Sequence, residues 1–273
     1  EGTEMTRARR WSLRQVWTRL NSRHILHAYL FIAPVILLFG ISRVVPSIQT
    51  LLYSFYKVEL LRNRFTFIGL ENFSDLLADE IFQGAAFNTL KYVFTIVPIS
   101  AFLGLVLAVL FNTKFHLKGF FKAVYFSPMV TSTVAAAMVW WWMYNPQFGI
   151  FNVLLKLVGL PSQPWLMSSS MALPSIIIFS IWKNLGYNMI IYLAGLQAIP
   201  PQFDEAATID GAGALLRFRH ITIPLLAPTT TFILIYNSIS AFQVFDQVFV
   251  LTSGGPANST NVVVLELYRQ AFQ

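Results

Sequence analysis

The chain is 273 residues long, 56% apolar and 11% charged, with a mean hydropathy of +0.60 and a formal charge of +7. A soluble domain carries about 25% charged residues, so a water-covered surface of ordinary composition is excluded and a bilayer is the solvent that fits. Cysteine is absent, which removes disulfides, thiol chemistry and cysteine metal sites.

Arg7, Arg9, Arg10, Arg14, Arg19 and Arg23 precede the first apolar run. A basic segment beside a membrane span marks the cytoplasmic side, so residues 1–24 read as a cytoplasmic flank rather than a nucleic-acid-binding arm. Charge-free stretches then give the spans, each needing about 20 apolar residues. The first is Ala28 to Ser42, extended by Val44 and Val45, with Arg43 snorkelling at its end. No small-residue cleavage site follows it, so it reads as a retained helix, not a signal peptide. A polar outer segment with Glu71, Asp75, Asp79 and Glu80 reads as partly helical. The second span is Tyr92 to Thr113. Ala123 to Leu155 is too long for one helix, and Asn145-Pro146-Gln147 breaks it to leave Ala123 to Tyr144. Pro161, Pro164 and Ser168-Ser169-Ser170 delay the fourth helix to about Ala172, from where it runs to Leu196. The fifth is Ile221 to Phe245. The fold class is all-α, a polytopic transmembrane helical bundle over residues 25–273.

Loop charges orient it. With the N-terminus inside, the cytoplasmic segments hold the six arginines above, Lys114, Lys118, Lys122, Arg217 and Arg219. The outer segments hold Lys57, Arg62, Arg64, Lys156 and Arg269, eleven against five, which is the positive-inside bias.

Polar residues inside apolar helices are costly and face the bundle interior or a wet cavity. On the fifth helix Tyr236, Asn237, Ser240, Gln243 and Gln247 fall within about 120° of arc. On the fourth, Ser180, Asn184, Tyr187 and Asn188 do the same. Amides, hydroxyls and aromatic rings suit a sugar or polyol; interhelical hydrogen bonding is the competing reading. Lys183 and Asp246 are the charged residues deepest in helices and are expected to pair or to snorkel near the outer surface. That placement suits no midplane proton or sodium relay. Trp140-Trp141-Trp142 reads as an interfacial belt, with ligand stacking as the alternative. No metal-ligand cluster is present, and no nucleophile, base and orienting group share one depth, so a membrane-embedded enzyme is disfavoured. A self-sufficient secondary solute carrier would show inverted repeats, and none is evident.

Between the fourth and fifth helices, residues 198–222 read as helix, break, helix. Pro200 and Pro201 start a helix, Asp204 and Glu205 suit the positive end of its dipole, and Gly211 and Gly213 end it. Ala206 and Ala207 give a small, smooth surface open to close approach. On pattern alone, a plain connecting loop reads equally well.

Glu205-Ala206-Ala207, three residues, Gly211, nine residues, Ile221, then Ile223-Pro224 resembles the EAA motif of membrane subunits of ATP-binding-cassette importers that work with a solute-binding protein. The family usually has Leu where this chain has Ile223. Gly69-Leu70-Glu71-Asn72-Phe73, Asn88-Thr89, Ala194 to Pro200 and Leu251-Thr252-Ser253-Gly254-Gly255-Pro256 agree with it, and the resemblance covers Tyr29 to Gln273. Its flavour is that of the maltose-type and glycerol-3-phosphate-type permeases. The resemblance implies a multi-pass subunit of a prokaryotic cytoplasmic membrane, without catalysis or cofactor of its own. Its partners would be a second homologous permease, a cytoplasmic ATPase dimer, an extracytoplasmic solute-binding protein and lipid, with no nucleic acid. It also implies that Glu205, Ala206, Ala207, Asp210 and Gly211 dock in the ATPase, and that a sixth helix follows Leu267 to Phe272. No phosphate-binding Gly-rich loop ending in Lys-Ser or Lys-Thr is present, so ATP is expected to be used by the partner.

Overall fold

A computed structural model describes residues 22–59, 64–113 and 116–272. Five of the six arginines of the N-terminal flank therefore lie outside the described residues, as do Lys114 and Arg62, and so does the cytoplasmic segment expected there. The described chain forms two compact units, one ending at Leu76 and one beginning at Leu77.

In the first unit, α1 (Ser22–Phe39) passes through a π-helical turn (Gly40–Val44) into α2 (Val45–Tyr53). Together they give one apolar span, His27–Tyr53, longer than the charge-free run because Arg43 sits in the π turn without ending the helix. Its apolar side chains are exposed, Phe31 by 79% and Leu38 by 70%, as a lipid-facing span requires. A two-stranded antiparallel hairpin follows, β1 (Tyr56–Glu59) on β2 (Arg64–Phe67), with Tyr56 opposite Phe67. The sequence reading missed it; Tyr, Val, Phe and Thr there favour strand. α3 (Glu71–Ala78) comes next, and the Asn72 amide donates to the carbonyls of Ser54 and Tyr56 at 2.9 and 3.1 Å, tying helix to hairpin.

The second unit is built on two long helices, α4 (Glu80–Asn112) and α8 (Ala172–Gln197). α4 begins twelve residues before the expected Tyr92, capped by Asp79, whose carboxylate accepts from the Ile81 N–H at 2.8 Å. The span expected as one helix from Ala123 to Tyr144 is two, α5 (Lys118–Val130) and α6 (Thr133–Met143), bent by 101°. Thr131 and Ser132 are extended between them. Short α7 (Ile150–Leu157) and a 3-10 turn at Trp165–Met167 lead to α8. The loop after it holds α9 (Pro201–Ile209) and α10 (Ala214–Arg217), then a π turn (Phe218–Thr222) and α11 (Ile223–Leu225). α12 (Ala227–Phe242) follows at a 62° bend, so the expected fifth helix is also broken. α13 (Asp246–Thr252) and α14 (Val263–Phe272) close the described chain. Among the described residues three helices are long and apolar enough to span alone, and up to five spans result when each bent pair counts once.

The core of this unit lies where α4, α6, α8 and α13 meet, around Tyr92, Ile96, Ala137, Ile176, Phe179 and Val248. Trp140 belongs to it rather than to an interfacial belt. It is 9% exposed, with ring centroids 5.1 to 5.5 Å from Trp182, Phe151, Phe179 and Tyr144. Trp141 and Trp142 are exposed, since three consecutive helical residues fan out by 100° each and cannot share one face. The segment Asn88-Thr89 on α4 anchors the outer loop before α14. Asn88 donates to the carbonyls of Asn258 and Asn261, both at 3.0 Å, and Thr89 Oγ1 accepts from the Val263 N–H at 3.0 Å.

Candidate functional site

A cavity of about 250 Å³ opens between α4, the α5–α6 break, α8, α12 and α13. Of the residues singled out in the sequence, Asn184, Tyr236, Asn237 and Ser240 line it, with Ser180 and Gln247 beside them. The Tyr236 ring packs on Tyr187 at 4.8 Å and stacks with Phe232 at 6.2 Å, and of the three only Tyr236 lines the cavity. Within the wall, Gln247 donates to Tyr92 Oη at 3.0 Å, and Asn237 reaches Ser100 Oγ at 3.5 Å. Asn184 donates to its own helix, at the Ser180 carbonyl 2.9 Å away. Asn184, Tyr236 and Ser240 are exposed to the cavity side, whereas Asn237 is 9% exposed.

Three expected lining residues stand elsewhere: Tyr187 is outside the lining, its ring packed on Tyr236, and Asn188 and Gln243 do not reach it either. Asn188 is fully buried, with Gly104 of α4 against it, and neither end of its amide has a hydrogen-bond partner. Gln243 is the C-cap of α12, outside the cavity lining, because that helix ends at Phe242 and the 100° progression ends with it. Gln247 reaches the cavity from α13 instead. The sequence reading missed Tyr92 and Ser100 on α4. They lie eight residues apart with Ile96 between, on one helical face, a polar pattern visible in an otherwise apolar run.

Lys183 lines the cavity but does not pair with Asp246. Its ammonium donates to the carbonyls of Pro128 and Thr131 at 2.7 and 2.6 Å. Asp246, at the start of α13, is exposed. The ammonium is instead taken up by those backbone carbonyls.

The second candidate site is the loop at α9 and α10. Pro201 occupies the first turn of α9, and Gly211 breaks the chain with φ +79°, a conformation that side-chain-bearing residues avoid. Arg217 braces the two helices, pairing with Asp204 at 3.3 Å and donating to Thr208 Oγ1. Glu205, Ala206 and Asp210 are exposed, and Ala207 is half-buried. Ile209 and Leu215 stand 87% and 81% exposed on the same loop, an apolar surface on the segment that carries the exposed Glu205 and Asp210.

Comparison with known proteins gives this arrangement a family. Residues 96–270 match the family described as binding-protein-dependent transport system inner membrane component. A probable ABC transporter permease protein of Pyrococcus horikoshii is 36% identical over 254 residues, 92% of this chain and 87% of that protein. The trehalose/maltose transport system permease protein MalF of Thermococcus litoralis is 34% identical over 248 residues, covering 91% and 84%. A crystal structure of a bacterial ABC transporter involved in the import of the acidic polysaccharide alginate superposes with a TM-score of 0.79. It is 25% identical, over 95% of this chain and 88% of that one. The chain belongs to the binding-protein-dependent transport system inner membrane components, the multi-pass permease subunits of ABC transporters.

Proposed function

We propose that this permease carries a sugar or related polyol past the α4–α12 cavity and takes its drive from a separate ATPase dimer docked at Glu205, Ala206, Ala207, Asp210 and Gly211. The observation that carries the substrate class is the cavity lining: amides, hydroxyls and the rings of Tyr92, Phe179 and Tyr236, with Lys183 as its single charged residue among those described. That ammonium is already hydrogen-bonded to backbone carbonyls, which favours an uncharged solute. At about 250 Å³ the cavity falls below the roughly 300–1,000 Å³ of complete small-molecule pockets. A second, homologous permease supplies the facing wall, and an extracytoplasmic solute-binding protein delivers the solute. The subunit needs no cofactor of its own. The substrates named for relatives are carbohydrates, trehalose and maltose for one and the acidic polysaccharide alginate for another, and the uncharged pair matches this lining better.

Transport by the cavity variants tests this. Asn184→Ala and Ser240→Ala each remove a hydrogen bond of about 0.5–1.5 kcal/mol, and uptake should fall roughly two- to twelvefold. Gln243→Ala, outside the cavity, should transport normally. Equal loss in all three variants, or loss in none, would remove the cavity from the solute path.

Sidedness follows from the charge bias, with the N-terminus, the Lys118 region and the α9–α10 loop cytoplasmic. Because the chain has no cysteine, single cysteines report cleanly. Cysteines replacing Ser162 and Ser253 should react with an impermeant maleimide added outside, and one replacing Leu215 only after permeabilisation. The opposite pattern would invert the orientation.

A further inference from the structure

The break between α5 and α6 is held from another helix. Lys183 lies on α8, yet its Nζ donates to the Pro128 carbonyl at 2.7 Å, the Thr131 carbonyl at 2.6 Å and, more weakly, the Met129 carbonyl at 3.4 Å. An ammonium has three donors and no acceptor, so this cluster of carbonyls matches it. The carbonyls belong to the last turn of α5 and to the bend itself, where helical partners run out and the helix dipole is negative. In an apolar bilayer such groups must find partners within the protein.

A second contact lies one turn along α8. Gly186 has no side chain to hold α5 off: a Cβ there would come within 2.1 Å of the Tyr125 carbonyl oxygen. The end of α5 is thus gripped at two points on the same face of α8, residues 183 and 186. Met129 and Thr133, on either side of the bend, line the cavity together with Lys183. In the other direction α8 runs unbroken to Gln197 and, three residues later, into α9.

We infer that Lys183 is a positioning residue that ties the broken span to α8, so that displacement of α8 carries the α5–α6 bend and its stretch of cavity wall with it. The inference rests on the proposed reading of α9 as the site of ATPase docking. A bend capped within its own span would be indifferent to α8; a bend capped by Lys183 must follow it. The reaction it serves is transport, and Lys183 acts through the wall rather than on the solute.

The test uses the assembled transporter in lipid nanodiscs, with spin labels on cysteines replacing Val130 and Ile178, both exposed and neither at the cavity. The reference chain should give one narrow distance distribution, with and without ATP. Lys183→Met should broaden it. Solute moved per ATP hydrolysed should fall about tenfold or more, the scale of losing a hydrogen bond to a charged group, while ATP hydrolysis itself persists. Lys183→Arg, which keeps a cation at the bend, should restore the narrow distribution and most of the transport. An unchanged distribution in Lys183→Met overturns the tie. Parallel loss of folded protein, hydrolysis and transport in both Lys183→Met and Lys183→Gln also overturns it, leaving a cap needed only for folding. If instead no ATPase joins the reference complex, the docking reading fails, and the distance measurement on the permeases still decides the tie.

Discussion

Replacing Gly186 with alanine is expected to destabilise the permease by about 1–3 kcal/mol or more and to lower the yield of folded protein from the membrane. A Cβ at this position would stand 2.1 Å from the Tyr125 oxygen, 2.8 Å from the Tyr125 carbonyl carbon and 2.8 Å from Phe126 Cα. All three atoms are backbone, so no rotamer change relieves the clash, and α5 has to move off α8. The Lys183 bonds to the bend would lengthen with it. Gly195 provides the graded comparison. There the nearest atom is Thr229 Oγ1 at 2.6 Å, a side chain, so Gly195→Ala should cost less. Gly84 has nothing within 4 Å of its hypothetical Cβ. Gly84→Ala should therefore be neutral or slightly stabilising, since alanine is favoured over glycine in a helix by roughly 1 kcal/mol. Thermal unfolding of the three purified variants in detergent checks the order. Equal midpoints for Gly186→Ala and Gly84→Ala would refute the close crossing.

Spans were legible in the sequence because lipid demands long apolar helices, and absence of charge marks them well. What the charge-free criterion missed follows from its own logic. It began α4 at Tyr92 because Glu80 and Lys91 are charged, yet both lie in one continuous helix with an Asp79 cap. It joined α5 to α6 because Thr131 and Ser132 carry no charge and so leave the charge-free run uninterrupted. The bend there depends on an acceptor cluster satisfied by Lys183, fifty-two or more residues away in sequence. No local pattern announces such a contact. The same applies to the outer loop, where Asn88 bonds residues 170 and 173 positions away.

Candidate sites divided along the same line. The α9–α10 loop is local, and Pro201, Gly211 and the acids of its first turn gave its helix–break–helix form directly. The cavity is assembled from six helices, and an angular projection of α12 beyond Phe242 assumed a straight helix that ends there. Asn184, Tyr236, Asn237 and Ser240 fall on the straight parts and reach the cavity; Gln243 falls past the end. Asn188 shows the other failure. It shares the polar stripe of α8 but faces Gly104, where the missing side chain lets α4 close over it.

Glu205→Lys is expected to leave the permease folded and inserted while abolishing ATP-driven uptake. Its neighbour Asp204 is engaged within the loop by Arg217, and Thr208 is engaged by the same guanidinium. Glu205 makes no hydrogen bond or ion pair with any described residue and stands exposed on α9, so of the two adjacent acids of α9 one is built in and one is left facing outward, with Asp210 exposed just past the helix. An exposed, unpaired side chain contributes little to stability, and its replacement should change folding by no more than about 0.5 kcal/mol. The loss would come from docking instead. If Glu205 meets a basic residue of the ATPase, the lysine brings like charges together at an interface, which costs several kcal/mol. Glu205→Gln removes the charge without reversing it and should retain intermediate uptake. Arg217→Ala would release Asp204 and loosen the angle between α9 and α10, so it should weaken docking by a different route, one that also broadens the loop's own geometry. Uptake assays paired with co-purification of the ATPase on a tagged permease separate these outcomes. Unaltered uptake and unaltered ATPase recovery in Glu205→Lys would assign docking to the exposed Ile209 and Leu215 surface, with no role for the acid.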